Sequence, residues 1–125
     1  MKLFEPGKIG RLSLNNRIVM APMSIEGLAE PDGRLSPRAI DYYLARARGG
    51  VGLIITGIAY VTQALEAPTS LIVNNEFHTS PLNELANAVH DYGTKVAVQL
   101  TAGFGRVTSP KQSRKGRMAA PSALP

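Results

Sequence analysis

The stretch Ser36-Pro-Arg-Ala-Ile-Asp-Tyr-Tyr-Leu-Ala-Arg-Ala-Arg-Gly-Gly50-Val-Gly-Leu-Ile-Ile-Thr56 decides the fold. Its serine oxygen can cap free backbone N–H groups, and a proline at the first helical position gives up a donor that has no helical partner there. Ile40, Tyr43, Leu44 and Ala47 then recur at i, i+3, i+4 and i+7, one apolar stripe that Gly49-Gly50 ends. The run from Val51 to Thr56 has no polar alternation, the mark of a strand covered on both faces. An amphipathic helix feeding such a strand is half of a βαβ unit.

The pattern repeats downstream. Ser80-Pro81 predicts a second helix start, with Leu82, Leu85, Ala86 and Val89 as its stripe and Gly93 as its close, and Lys95-Val-Ala-Val-Gln-Leu100 predicts the third strand. Upstream, the alternation around Leu12, Ser13 and Leu14 with a turn at Gly10-Arg11 predicts a hairpin. Ile18-Val-Met-Ala-Pro-Met23 predicts a buried strand whose ladder Pro22 must end. The expected elements are a hairpin over 8–18, strands over about 18–23, 51–57 and 95–100, helices over about 37–48 and 81–92, and a basic loop over 106–125. Apolar strands joined by helices require right-handed crossovers and a parallel sheet, so the fold class is α/β. Three strands and two helices leave one sheet face bare. The expected architecture is therefore the N-terminal portion, hairpin plus first three strands, of something larger such as a (β/α)8 TIM barrel.

Composition narrows the chemistry. The chain has 125 residues, 44% of them hydrophobic, and no cysteine, which excludes disulfides, thiolate metal sites and cysteine nucleophiles within it. No apolar run reaches the length of a membrane span and no secretory signal opens the chain, so a cytoplasmic location is expected. The formal charge of +5 sits wholly in Arg106, Lys111, Arg114, Lys115 and Arg117, because residues 1–105 hold nine basic and nine acidic side chains. Those five lie in a stretch with no apolar period, which argues for a solvated loop over a nucleic-acid interface. Gly103-Phe-Gly105-Arg106 lacks the third glycine and the opening helix of a dinucleotide fingerprint. His78 and His90 are expected to be structural or surface residues, and neither they nor the acids form a catalytic or metal-spaced set.

Parallel sheets bind ligands where the strand C-termini meet the following loops. Pro22, Met23 and Ser24 offer backbone donors and a hydroxyl beside a proline-fixed turn, although a strand ending in a tight turn explains them too. Gly57 and Ile58 follow the second strand, where a missing side chain admits either a flat ligand or an ordinary turn. Gln99 places a primary amide, donor and acceptor at once, inside an apolar strand. That suits a pyrimidine-like ring edge, with a satisfied structural glutamine as the alternative.

Four segments carry a resemblance: Leu3-Phe-Glu-Pro-Gly-Lys-Ile-Gly10, Leu14-Asn-Asn-Arg-Ile-Val-Met-Ala-Pro-Met23, Gly50-Val-Gly-Leu-Ile-Ile-Thr-Gly57, and Val98-Gln-Leu100 leading to Gly105-Arg106. In this order they resemble the old yellow enzyme family of flavin oxidoreductases, closest to its 2-enoate reductase branch. The resemblance implies a (β/α)8 barrel with the hairpin under its bottom and FMN at its top. It implies that Pro22, Met23 and Ser24 line the flavin ring, that Gly57 and Ile58 pack beside it, and that Gln99 bonds its pyrimidine side. It also implies NAD(P)H as reductant, a small enone or enoate as substrate, and any iron–sulfur cluster only in a region not present here. Many members read Gln-Leu-x-His-x-Gly-Arg, whereas Gln99 to Arg106 is one residue longer and lacks the histidine. The substrate-polarising groups would come from later strands, so no catalytic residue is assigned and the 125 residues are not expected to turn over alone. The remainder of the barrel is the expected partner, and a homo-oligomer is compatible. Two other classes fit the same residues: a noncatalytic barrel remnant, and a small basic nucleic-acid binder using 106–117.

Overall fold

The computed structural model describes residues 1–25, 27–62 and 71–102. The basic loop expected over 106–125, Arg106 included, lies outside the described residues. A 3-10 turn at Lys2–Phe4 precedes a hairpin of β1 (Gly7–Ile9) and β2 (Leu12–Leu14), paired antiparallel with Ile9 opposite Leu12. Then follow β3 (Val19–Met20), α1 (Pro37–Arg48), β4 (Leu53–Tyr60), β5 (Leu71–Ile72), α2 (Glu76–His90) and β6 (Lys95–Thr101). β4 is central. It pairs in parallel with β3 at Val19↔Leu53 and Met20↔Ile54, with β5 at Ala59↔Leu71, and along its other edge with β6 from Leu53↔Lys95 to Tyr60↔Thr101.

Each helix forms for a legible reason. The Ser36 hydroxyl accepts the Ala39 N–H at 3.1 Å, and Pro37 occupies the first helical position. Gly50, at φ +84, turns the chain in the left-handed region, letting its N–H reach the Ala47 carbonyl and the Val51 N–H reach that of Arg46. Both helices pack on one face of the sheet. Tyr43, Ala47, Ile54, Ala59, Leu85 and Val89 form the centre of the core, and each large aliphatic side chain so buried contributes about 1.5–3 kcal/mol.

Three expectations need correction. The second helix does not open at Ser80-Pro81; it begins at Glu76, capped by Asn75, whose side-chain oxygen accepts the His78 N–H at 3.1 Å. Pro81 therefore lies inside α2. The carbonyl deprived of its N–H belongs to Phe77, whose side chain is 54% exposed, in a turn where water can replace the lost bond. The strand expected over 18–23 is two residues long and not buried throughout, since Val19 faces away from the helices and is exposed. No residue pattern predicts β5. It takes up the β4 edge that β3 leaves, its two residues fully buried.

His78 is a structural residue, as its position in the sequence suggests. Its ring nitrogens lie 2.8 Å from Asn75 Oδ1 and 3.1 Å from the Asp32 carbonyl, tying α2 to the loop before α1. In that loop the Arg34 backbone N–H holds the exposed Asp32 carboxyl below the usual carboxylate range, with the Arg34 side chain adding to the effect.

Candidate functional site

The expected site residues fall at the C-terminal ends of three adjacent strands. Pro22, Met23 and Ser24 follow β3 and are exposed. Gly57 and Ile58 lie in the second half of β4, and Gln99 lies in β6 directly opposite Ile58. Gly57 and Met23 are in close approach, for a Cβ on Gly57 would sit 2.6 Å from the Met23 carbonyl oxygen and 2.8 Å from Leu28 Cδ1. The space freed by this glycine is thus filled by the chain itself. Its effect is to draw the turn after β3 against β4.

The ladder is irregular at this point. From Ile55↔Ala97 to Ile58↔Gln99, β4 advances three residues while β6 advances two, so one extra residue bulges out of β4 at Thr56-Gly57. Side chains alternate along a strand, and the extra residue inverts the alternation. Ile54 before the bulge and Ala59 after it both join the helix-facing core. Ile55 and Ile58 consequently share the opposite face with Gln99. That face is the uncovered one, with Val19 43% and Ile58 37% exposed.

Two hydroxyls hold the bulge. Tyr43, fully buried on α1, accepts the Gly57 N–H at 2.9 Å. Thr56 Oγ1 donates to the Gly57 carbonyl at 3.0 Å and accepts the Gln99 N–H at 3.4 Å. Burial pushes the Tyr43 hydroxyl above its ordinary value of 10.0, against the lowering effect of the Gly57 N–H, so it is neutral at physiological pH. Sequence reasoning places Tyr43 in an apolar stripe and Thr56 at a strand end. The use of their hydroxyls depends on a bulge that no residue pattern announces.

The Gln99 carboxamide is half-buried and meets no hydrogen-bond partner among the described residues. A half-buried amide with both a donor and an acceptor free is suited to a polar ring edge. Beside it lies the exposed Ile58, and across β4 the turn after β3 brings the exposed Met23 and Ser24 to the same end of the sheet. An apolar surface with a free amide at its edge is what a tricyclic flavin requires, so Ile58 and Gln99 fit FMN. No group of three or more His, Cys, Asp or Glu side chains that could hold a metal occurs among the described residues. No described helix is long and apolar enough to cross a membrane.

Comparison with known proteins places the chain in a family. A family model described as the NADH:flavin oxidoreductase / NADH oxidase family matches residues 2–124. The chain is 43% identical to cinnamate reductase of Clostridium sporogenes over 98% of its own length and 19% of the relative's. It is 39% identical to an NADPH dehydrogenase of Halalkalibacterium halodurans over 98% of its own length and 35% of that protein's. Among solved structures it superposes on the old yellow enzyme from Trypanosoma cruzi with a TM-score of 0.76 and 29% identity, covering 99% of this chain and 35% of that one. The chain thus spans between 19% and 35% of the length of these relatives. The parallel sheet, its helices and the hairpin are the N-terminal portion of a (β/α)8 barrel, whose lumen side is the uncovered face of β3, β4 and β6. Membership implies FMN as cofactor. The chain belongs to the NADH:flavin oxidoreductase / NADH oxidase family.

Proposed function

We propose that residues 1–125 form the N-terminal segment of a single FMN-binding barrel domain, in a protein that uses NAD(P)H to reduce activated C=C bonds of the enoate or enone type. The observation that carries the reading is the convergence of Met23, Gly57, Ile58 and Gln99 at one end of the sheet. The similarity to a cinnamate reductase points to an α,β-unsaturated carboxylate as substrate.

Bound FMN supplies the hydride chemistry. The residues of this chain hold and tune it. Gln99 would hold the pyrimidine side of the ring through its amide, Pro22 and Met23 would line the ring, and the Ser24 hydroxyl would supply a hydrogen bond that favours added electron density. Ile58 gives an apolar surface that excludes water from one side. The groups that polarise the substrate and deliver its proton belong to the rest of the barrel, and no residue here is given a catalytic role. A cytoplasmic location, close to the reduced nicotinamide pool, belongs to the same proposal.

The test is the native protein as isolated. Flavin absorption, FMN released on denaturation, bleaching by NADH or NADPH, and reoxidation by cinnamate are the expected results. A native protein that carries no FMN and recovers none on reconstitution would overturn the reading and favour a noncatalytic barrel remnant. A basic nucleic-acid binder would instead show retention on DNA or RNA that falls steeply with salt.

A further inference from the structure

The bulge in β4 depends on two side chains to which the FMN reading gives no part. A regular ladder would pair the Gly57 N–H with the neighbouring strand. Here that N–H is donated to Tyr43 at 2.9 Å, across a fully buried contact from α1. The adjacent carbonyl of Gly57 accepts the Thr56 hydroxyl, and Thr56 Oγ1 in turn accepts the Gln99 N–H. One tyrosine and one threonine therefore fasten together the backbone of Gly57 and of Gln99. Met23 is held to the same point by its carbonyl, which packs where a Gly57 Cβ would stand.

We propose that Tyr43 and Thr56 are positioning residues for the flavin site: by holding the Thr56-Gly57 bulge they set which face of the sheet Ile58 occupies and where the Gln99 amide stands. The inference rests on the FMN reading. Its physical basis is parity. Without an acceptor for the buried Gly57 N–H, the strand recovers that hydrogen bond most readily by reverting to a regular ladder. A regular register would turn Ile58 toward the helices and Ala59 toward the lumen, which is the wrong face for each. The buried ring of Tyr43 packs equally well as phenylalanine, so the hydroxyl can be removed without emptying the core.

The experiment compares Tyr43→Phe, Thr56→Val and Val89→Ala in the native protein, reading FMN dissociation constant, flavin midpoint potential, visible spectrum and Tm. Val89 is a fully buried α2 residue near the opposite end of the helix layer, and its truncation controls for lost stability alone. Tyr43→Phe is expected to weaken FMN binding about tenfold and to shift both potential and spectrum, the scale set by leaving one buried donor unpaired. Thr56→Val should act in the same direction, and it carries the test if Tyr43→Phe does not fold. Val89→Ala should lower Tm and leave FMN binding within about twofold, since it touches packing only. If the hydroxyl variants alter FMN binding and potential no more than Val89→Ala does, the positioning role is overturned. If Gln99→Ala loosens FMN while the hydroxyl variants do not, the FMN reading stands and this inference alone falls. A native protein without FMN overturns both.

Discussion

The two ends of this sheet are built on opposite terms. At the N-terminal end of the strands the hairpin is fastened to both helix-to-strand turns by consecutive asparagines, Asn15 donating to the Gly93 carbonyl at 3.3 Å and Asn16 to that of Gly50 at 2.7 Å. Asn16 also accepts the Ile18 N–H, and Thr94 donates to Val51 at 2.7 Å. Polar side chains there are spent on the chain itself. At the C-terminal end Met23 and Ile58 stand exposed, and the Gln99 amide meets no partner among the described residues. One end is closed on itself and the other is left open, where the proposed function seats the flavin, a division that substitutions at each end can break.

The largest effect is expected at the closed end. A Cβ on Gly52 would lie 2.7 Å from Asn16 Oδ1 and 2.8 Å from the Asn16 carbonyl oxygen, and the Asn16 side chain is tied to Gly50 and Ile18. Gly52→Ala should cost about 3 kcal/mol in chemical denaturation, the upper range for overpacking a site that cannot yield. FMN binding by the folded fraction should be unchanged. A variant of native stability would show that the fastening at the closed end is loose.

Next in size is Asn16→Ala, which removes a hydrogen bond to Gly50 and strands the Ile18 N–H. A loss of about 1–2 kcal/mol is expected, again without change in the flavin spectrum. Its counterpart at the open end is Gln99→Ala, expected to leave stability within about 0.5 kcal/mol, because an unpartnered amide contributes little to the fold. FMN retention should fall by about an order of magnitude through the lost hydrogen bonds. Unchanged FMN affinity and spectrum would remove Gln99 from the site. A large drop in stability with Gln99→Ala would erase the distinction between the ends.

The same division explains what the sequence makes legible. Both helices, the hairpin and three of the four parallel strands follow from local signals, namely the Ser36-Pro37 start, the stripe through Tyr43 and Ala47, and the branched runs. Ser80-Pro81 misleads because a serine before proline imitates a cap, while the working cap is Asn75, whose selection depends on the fit of His78 against Asp32. β5 is hidden because two residues give no period, and its existence depends on the edge that β4 leaves free. At the site, Gln99 stands out as a polar residue in an apolar strand. Tyr43 and Thr56 do not, since a tyrosine in a stripe and a threonine at a strand end are ordinary core choices until the register shift supplies a buried N–H to be met.

The smallest effect concerns the buried Tyr43 hydroxyl. Burial raises its pKa above 10.0, whereas in the unfolded chain it titrates near its ordinary value. Below about pH 10 both states hold the proton, and the group adds no pH dependence. As pH rises past that point the unfolded chain loses the proton first, so unfolding is favoured until the folded hydroxyl also ionises. Denaturation of the native protein between about pH 9 and 11 should therefore show stability falling with pH, and Tyr43→Phe should remove part of that slope while lowering stability at neutral pH. An identical slope in the variant would mean that the hydroxyl is solvated in the folded state. The Gly57 N–H would then have water as an alternative acceptor, and the bulge at the open end would not depend on α1.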